Sequence, residues 1–493
     1  MMLLGLCCAQ QEATTSEYDT YEAALSGLSP VSSIREYRKA LVSMEKLAKS
    51  GKTRASADAM AVLSQIYIFG SHGKKIVTQQ QPFKSFYYAN QSSNAGSPKG
   101  HNMLAFLYRY GLGTDQDVTK AAELEKFAAE LNYLPSMMVV AYKSFEQDDN
   151  CDKALRTYRL AATVASGKVD ASFLGDYASL QPLSREADEL GDDAAERHAR
   201  QLETVEYWQF LADRKDPRGL YELGRIHHLG LHGRPRNLEL AVELYSKAGG
   251  LENAEAMAAL GRLQSIGHGC ELNMGEALRK LRLGTSTSVE RSPNETKAAV
   301  EIDAGRGSGE AEATLGILLQ RQVFTSEDSR TGVRYLRQGA ALGNADAMFE
   351  LGEAAARDGH VEEANQYFTD AVKRGHVRSA RALARHYEAG VGVGESCQKA
   401  ATYYKFVCDV GPWLDDPFGP RHVVKAYWEG RTTDALFLAL YTADQGYAAS
   451  QYNAAWMLLR GKGTKDFESN SRGHNPRQIA ADLLIKVGKQ SDR

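Results

Sequence analysis

The chain has 493 residues with 59 basic and 62 acidic side chains, and its isoelectric point lies near 6.5. A surface that binds phosphate backbones needs a net positive field, so this balance argues against nucleic acid as a general partner. No apolar run approaches the roughly 18 residues that a membrane span needs. The nearest, residues 435–443, is a nine-residue segment, and we expect no transmembrane segment in this chain.

The N-terminus differs from the rest of the chain. Residues 1–9 are apolar and end in Cys-Cys-Ala, which fits a signal-peptide cleavage site before Gln10. Because this block is short and lacks a basic start, we interpret residues 1–9 as the remnant of a secretory signal peptide; the alternative is a frayed apolar terminus. Residues 10–33 are polar and rich in Ser and Thr, which predicts a disordered segment.

The pattern of residues 34–165 predicts an N-terminal block of helical hairpins. A leading helix over 34–49 precedes three two-helix units, which span residues 57–95, 100–129 and 135–165. In the second unit, Leu104, Leu107 and Tyr108 fall on one helical face. Gly111 and Gly113 then supply the positive φ angles that end a helix.

Residues 166–203 interrupt this pattern with an acidic run, and we predict a linker or insertion there. A second block is predicted over 204–493, with a polar loop insertion at 285–308. Its units lie at about 216–250, 251–284, 309–342, 343–374, 375–410, 411–445 and 446–493.

A fixed period underlies the second block. Gly309, Gly343, Gly375, Gly411 and Gly446 are 34, 32, 36 and 35 residues apart. Repeats of this length predict an all-α solenoid of about ten helix-turn-helix units, similar to tetratricopeptide (TPR) arrays. Such folds bind partners along extended surfaces, so a protein-interaction role is favoured over chemistry.

One unit carries a family resemblance. Residues 375–393 open with Gly375-His-Val-Arg-Ser-Ala380 and contain a Gly-Val-Gly-Val turn, and residues 399–405 read Lys-Ala-Ala-Thr-Tyr-Tyr-Lys. This combination resembles the Sel-1-like repeat, which differs from the tetratricopeptide repeat mainly in its glycine-rich turn.

Three other stretches resemble one branch of that family, the adaptor of the HRD membrane ubiquitin ligase in endoplasmic-reticulum-associated degradation (ERAD). They are residues 96–113, residues 207–212, and the irregular repeat over 396–455. The resemblance implies a non-catalytic scaffold in the lumen of the endoplasmic reticulum. It also implies three kinds of partner, an HRD-type membrane RING ubiquitin ligase, an ER lectin and misfolded glycoprotein substrates, and self-association into a homodimer.

Members of that branch continue through further C-terminal repeats, and most carry a membrane anchor. This chain stops at Arg493, just after a predicted helix, so we expect either a fragment or a shortened form. A second hypothesis is a generic Sel-1-like interaction scaffold, cytosolic or secreted, that binds signalling or cell-wall proteins. An enzyme regulated by its repeats has no supporting motif.

Several motifs resemble ligand sites but favour structural roles. His227, His228 and His232 are close in sequence, but no other zinc ligand lies nearby. Residues 148–152 are acidic but lack the spacing of a calcium loop. The Gly-rich turns at 111–113 and 390–394 neither follow a strand nor end in Gly-Lys-Ser/Thr, so they do not indicate a nucleotide site. No metal or cofactor is expected.

Two sequons make Asn90 and Asn294 candidate glycosylation sites if the chain is secreted. Asn294 falls in the predicted loop insertion, whereas Asn90 falls on a predicted helix. Trp413, Trp428 and Trp456 are candidate binding anchors, with burial between helices as the alternative. The disulfide state of the internal cysteines stays open; these are Cys151, Cys270, Cys397 and Cys408. Cys397 and Cys408 are too far apart along one helix to pair.

Overall fold

The structure is a computed structural model that describes residues 17–491 except 29–31, 52, 71–79, 147–149, 169–193, 230, 232, 233, 235, 236, 274, 282–309, 322–325, 417, 466 and 468–474. The predicted signal remnant and the predicted loop insertion at 285–308 therefore lie outside the described residues. Within these ranges no helix is both long enough and apolar enough to cross a membrane.

The described chain is built from helices. In chain order they are α1 (17–27), α2 (Ile34–Ser50), α3 (Arg54–Phe69), α4 (Pro82–Asn94), α5 (Pro98–Tyr110), α6 (Val118–Glu130), α7 (Leu134–Glu146), α8 (Cys151–Lys168), α9 (Ala194–Asp213), α10 (Pro217–Leu229), α11 (Leu238–Gly250), α12 (Ala254–Ile266), α13 (275–281), α14 (Glu310–Arg321), α15 (Ser326–Ala341), α16 (Ala345–Arg357), α17 (Val361–Lys373), α18 (Val377–Ala389), α19 (Cys397–Asp409), α20 (Arg421–Trp428), α21 (Thr432–Asp444), α22 (Ala448–Leu459) and α23 (Pro476–Ser491). A short 3-10 helix, Pro412–Asp415, precedes α20.

These helices pair as antiparallel hairpins, which confirms the predicted all-α repeat fold. Among the described residues, ten hairpins run from α3–α4 to α22–α23, with α9 standing outside the pairing. Polar side chains begin many of the helices. Asn237, Asn253 and Asn344, for example, each accept a hydrogen bond from the backbone N–H three residues later, which satisfies a donor that the helix leaves unpaired.

The glycine-rich turn has a packing role. Gly111 and Gly113 have φ angles of 61° and 71°, in the left-handed region that glycine adopts without strain. A side chain at Gly113 would collide with the Pro82 carbonyl at the start of α4, in the preceding unit. The same contact recurs at Gly392, where an added Cβ would lie 2.7 Å from Val361 at the start of α17. The second glycine therefore lets each turn pack against the preceding hairpin.

The chain divides into two compact units, and their limits differ from the predicted blocks. Unit 1 comprises Met1–Lys168, Ala178–Ala194 and Cys408–Arg493, whereas unit 2 comprises Val169–Tyr177 and Ala195–Val407. Residues 408–491 were predicted to continue the second block, but they share the hydrophobic core of the N-terminal repeats.

Helix α21 explains why the C-terminal residues join unit 1. Every residue from Ala435 to Ala443 is buried, so this helix has no face left for solvent. The Tyr441 ring packs 5.2 Å from Phe69 and 5.4 Å from Phe106, measured between ring centroids. Its hydroxyl donates a 2.6 Å hydrogen bond to the Asn102 side-chain oxygen. A helix that is apolar on all sides needs neighbours on all sides, and here α3 and α5 complete the cover that α20 and α22 begin.

Two other predictions are corrected. Residues 10–33 were predicted to be disordered, yet 17–27 form α1, whose Tyr21 and Ala24 are buried together with Leu28. These apolar residues recur at helical spacing and pack into the unit 1 core, which offsets the polar composition.

The predicted linker at 166–203 is also shorter, because α8 extends to Lys168 and α9 begins at Ala194. The rest of that linker, 169–193, lies outside the described residues.

Unit 2 contains α9–α18 and most of α19, and its core is divided into smaller clusters. One joins residues of α9–α12, a second joins α12–α14, a third joins α14–α16 and a fourth joins α16–α18. Each cluster covers only consecutive repeats, as expected of an array in which a hairpin buries its apolar face against the next one.

Candidate binding surface

Unit 1 contains a groove of about 1160 Å³. Residues of α6, α7, α8 and α23 line most of it, with contributions from the ends of α5 and α21. Val118 and Leu160 in its lining are 54% and 55% exposed, so its apolar walls face solvent. We call it the unit 1 groove.

Four charged residues lie at the bottom of this groove, where their side chains are largely buried. The Arg109 guanidinium contacts Glu125 at 2.6 Å and Asp444 at 3.3 Å, and the Lys143 ammonium contacts Glu125 at 2.9 Å. Asp444 belongs to the C-terminal part of the chain, so this cluster joins both ends of unit 1. Two positive and two negative charges compensate one another, which a buried cluster requires.

Burial shifts the pKa of one member of the cluster, Lys143, and of the neighbouring Tyr110 hydroxyl. It lowers the pKa of the Lys143 ammonium, an effect that the nearby Glu125 carboxylate opposes. Burial and then the Asp444 carboxylate raise the pKa of the Tyr110 hydroxyl well above its usual value. Tyr110 therefore keeps its proton at neutral pH and donates it in a 3.3 Å hydrogen bond to Asp444.

The charges around the groove are also balanced. Its lining contains five basic and five acidic residues, namely Arg109, Lys126, Lys143, Lys153, Lys486, Glu123, Glu125, Glu130, Asp444 and Asp482. Since the most buried of them already have partners, a strongly charged ligand would gain little electrostatic energy at the bottom of the groove. The chemistry suits an uncharged segment with apolar side chains.

Sequence patterns do not predict this groove as a whole, although part of its signal is local. On α6 the buried residues are Ala121, Glu125 and Ala128, so Glu125 occupies a position where an apolar residue is expected. A carboxylate in that position is a sign of a buried ion pair. The second carboxylate of the cluster, Asp444, contacts Arg109 and could not be found by spacing, because it lies more than 300 residues further along the chain.

A Ser-His-Asp contact occurs in unit 2, but its position favours a structural role. The His376 Nδ1 lies 2.8 Å from the Ser379 hydroxyl, and its Nε2 lies 3.1 Å from the Asp346 carboxylate. Ser379 is completely buried, so no substrate reaches its hydroxyl. His376 instead begins α18 by accepting the backbone N–H of Ser379. The contact with Asp346 then joins two successive repeats.

Among the described residues, the tryptophans and histidines that the sequence offered as candidates do not line the unit 1 groove. Trp413 and Trp456 are each 8% exposed, so burial between helices accounts for both, and Trp428 is half-buried. His228 contacts the Tyr245 hydroxyl at 3.3 Å. His232 lies outside the described residues. Across the described ranges, no group of three His, Cys, Asp or Glu side chains could hold a metal ion.

The remaining predictions concern glycans and cysteines. Asn90 is half-buried on α4, and Asn294 lies outside the described residues. Residues 148 and 149 of the acidic stretch also lie outside them, while the Asn150 side chain accepts the Lys153 backbone N–H at the start of α8. Cys151 and Cys397 are each disulfide-bonded, whereas Cys270 and Cys408 are thiols.

The hairpins, their glycine turns and their spacing can be compared with known families. The Sel1 repeat model matches seven segments, residues 57–97, 98–133, 217–252, 254–279, 309–344, 377–409 and 448–468. The chain is a Sel1-repeat protein. The Sel1 segments coincide with hairpins of the structure, for example α3–α4 and α5–α6, and the hairpins α7–α8, α16–α17 and α20–α21 complete the array between them.

Three curated relatives illustrate the range of Sel1 proteins that this chain resembles. Protein sel-1 homolog 2 of Mus musculus is 26% identical over 194 residues, which cover 38% of this chain and 27% of the relative. Chitin synthase regulatory factor 4 of Schizosaccharomyces pombe is 23% identical over 317 residues, which cover 61% of this chain and 45% of the relative. ERAD-associated E3 ubiquitin-protein ligase component HRD3A of Arabidopsis thaliana is 26% identical over 181 residues, which cover 36% of this chain and 26% of the relative. The chain thus spans less than half the length of each.

Proposed function

We propose that this Sel1-repeat chain is a non-catalytic adaptor in ER-associated degradation, which recruits misfolded glycoproteins to a membrane-bound HRD-type RING ubiquitin ligase. It acts in the lumen of the endoplasmic reticulum together with an ER lectin. Its mechanism is avidity, because a scaffold that holds client, lectin and ligase raises their effective concentrations without chemistry of its own.

The observation that carries the proposal is the unit 1 groove. It combines exposed apolar walls with a bottom whose charges are already paired, which suits protein segments rather than a small charged substrate. Its volume of about 1160 Å³ exceeds the roughly 300–1,000 Å³ of typical small-molecule pockets. Misfolded proteins expose the apolar segments that such a groove would bind.

Two further features support the compartment and the pathway. Disulfides at Cys151 and Cys397 are typical of an oxidising compartment such as the ER lumen. The similarity to HRD3A, whose name places it in an ERAD ligase, supports an HRD-type partner for this chain. Glycosylation of Asn294 and a homodimer are part of the same proposal.

The test is affinity purification of the tagged chain from its native cells, followed by mass spectrometry of the bound proteins. We expect a membrane RING ligase, an ER lectin and misfolded glycoproteins. Leu160→Glu places a charge in the wall of the groove and should reduce client recovery about fivefold to tenfold, the effect of losing an important contact at an interface.

Leu459→Glu is the matched control. Leu459 lies in the same unit and is 56% exposed, against 55% for Leu160, but it is not part of the groove. Its variant should keep full client recovery. If both variants lose client recovery equally, or if neither loses any, the result would contradict the role of the groove. Absence of any ubiquitin ligase or ER lectin among the partners would contradict the adaptor function.

A generic Sel1 scaffold outside the ER is the second candidate function. It is favoured by the similarity to chitin synthase regulatory factor 4, which extends over 61% of this chain, against 36% for HRD3A. Under this alternative the purification would recover signalling or cell-wall proteins from cytosolic or secreted fractions, and Asn294 of a cytosolic form would carry no glycan.

A further inference from the structure

Helix α4 exposes two aromatic side chains beside a sequon. Phe83 is 74% exposed and Tyr87 is 59% exposed, which makes Phe83 the most exposed large apolar residue among the described ones. Asn90, in the sequence Asn90-Gln91-Ser92, lies half-buried on the same helix. Large exposed aromatic residues tend to mark a binding surface, and α4 places these two next to a modifiable side chain.

Helix geometry brings the three residues onto one face. Tyr87 and Phe83 precede Asn90 by three and seven residues, so at about 100° per residue they lie within about 60° of it around the axis. They are about 4.5 Å and 10.5 Å away along the axis, at a rise of about 1.5 Å per residue. Helical side chains lean toward the N-terminus of their helix, so a group attached to Asn90 would extend toward Tyr87 and then Phe83.

We propose that Asn90 carries an N-linked glycan whose first sugars pack on Tyr87 and Phe83. The inference rests on the ER location in the proposed function. The apolar C–H faces of a sugar can cover aromatic rings while its hydroxyls stay in water. The glycan would thereby cover the most exposed aromatic surface of unit 1.

The modification is an ordinary transfer from a lipid-linked donor. The Asn90 amide nitrogen forms a bond to the anomeric carbon of the first sugar, loses one proton, and displaces the lipid diphosphate as the leaving group. The reaction consumes no oxidant or reductant.

The structure also indicates when the transfer occurs. The Ser92 hydroxyl, which completes the sequon, is fully buried and donates a 2.6 Å hydrogen bond to the Ala57 carbonyl. The transfer enzyme must therefore act before α4 packs on α3, while the chain is still being translocated.

The test uses the full chain directed to the secretory pathway of a eukaryotic host by an added signal sequence. Glycopeptide mass spectrometry should find a glycan on Asn90. Melting temperatures are then measured for four forms, the parent, Asn90→Gln, Phe83→Ser/Tyr87→Ser and the triple variant. We expect Asn90→Gln to lower the melting temperature by about 2–4 °C in the parent and by much less when both rings are gone.

The same four variants, made without glycans in a bacterial host, are the control. There Asn90→Gln should have equal effects in both backgrounds. Absence of a glycan on Asn90 would overturn the inference. So would an Asn90→Gln effect on the melting temperature of the glycosylated protein that is the same with and without the two aromatic rings. Because the added signal forces entry, neither result depends on where the native chain resides. A glycosylated Asn294 beside an empty Asn90 would overturn this inference and leave the proposed function standing.

Discussion

The two units of this chain bury their apolar residues in different ways. In unit 1, one core cluster joins helices α1–α5 near the start of the chain to helices α20–α23 near its end. In unit 2, the core is a series of clusters, and Phe368 of α17, for example, packs 5.7 Å from Phe349 in the neighbouring helix. Sel1 hairpins can therefore form either a series of nearest-neighbour contacts or a single body.

The difference lies in the helices themselves. Helix α17 buries Ala364, Asn365, Phe368 and Ala371, which form a single stripe at helical spacing. Helix α21 buries all nine residues from Ala435 to Ala443. The first pattern needs only the adjacent repeats, whereas the second needs neighbours all round. Unit 1 should thus unfold cooperatively, and unit 2 should respond locally.

The largest expected effect comes from removing one buried aromatic ring in each unit. Tyr441→Ala and Phe368→Ala should each cost about 3–5 kcal/mol of unfolding free energy. Hydrogen exchange should rise in α3 and α5 for Tyr441→Ala, since its ring contacts Phe69 and Phe106. For Phe368→Ala the rise should stay within α16–α18. Faster exchange confined to α20–α23 in the Tyr441 variant would contradict the claim that unit 1 responds as a whole.

A somewhat smaller effect is expected from ion pairs. Asp444→Ala leaves Arg109 with one fewer partner in a buried cluster, and should cost about 2–3 kcal/mol. The control in unit 2 is Asp370→Ala, whose pair with Lys373 is exposed and should contribute less than about 0.5 kcal/mol. Chemical denaturation of the two variants measures both values. Equal costs would show that the buried cluster contributes no more than a surface pair.

Glycine substitutions should separate turn strain from packing. Gly359→Ala places a side chain at a φ of 85° with open space around it, and should cost about 1 kcal/mol. Gly113→Ala adds a collision with the Pro82 carbonyl, so we expect more than about 2 kcal/mol. Thermal unfolding of both variants provides the measurement. A Gly113 variant as stable as the Gly359 variant would mean that the turn does not pack against the preceding hairpin.

The smallest effect is a pH dependence within unit 2. Burial alone would raise the pKa of Asp346, but the His376 hydrogen bond and the nearby positive charges hold it below its usual value. A depressed pKa stabilises the fold above the unfolded value of about 3.9, and this stabilisation is lost as pH falls through the folded value. Asp346→Asn should therefore cost about 1 kcal/mol at pH 7 and less at pH 3, as judged by urea unfolding. An undiminished difference at pH 3 would contradict the assignment.

Much of this fold could be predicted because its determinants are local. The glycine period, the Gly-x-Gly turns and the apolar stripes located the hairpins and gave the fold class. The pairing of Tyr441 with Phe69 could not be predicted, since periodicity says which face is buried and not what covers it. The apolar run at 435–443 did contain the signal. Its length excludes a membrane span, and its lack of a polar face indicates a fully buried helix.

The candidate site was harder to predict than the fold. The unit 1 groove depends on Asp444 and α23 lying beside α6 and α8, and no sequence spacing connects these elements. Asn90 and its sequon were visible in the sequence, but the exposure of Phe83 and Tyr87 required the packing of α4. Local patterns thus identified residues, and only the tertiary contacts showed which residues act together.

Native-state hydrogen exchange over a series of low denaturant concentrations tests the central claim most directly. If both ends of the chain form one body, α3, α5 and α21 should exchange through a common opening with the same free energy and denaturant dependence. The helices of unit 2 should show a range of lower opening free energies. Exchange of α21–α23 at a clearly lower free energy than α3 and α5 would contradict the claim, because the C-terminal helices would then be a separable attachment.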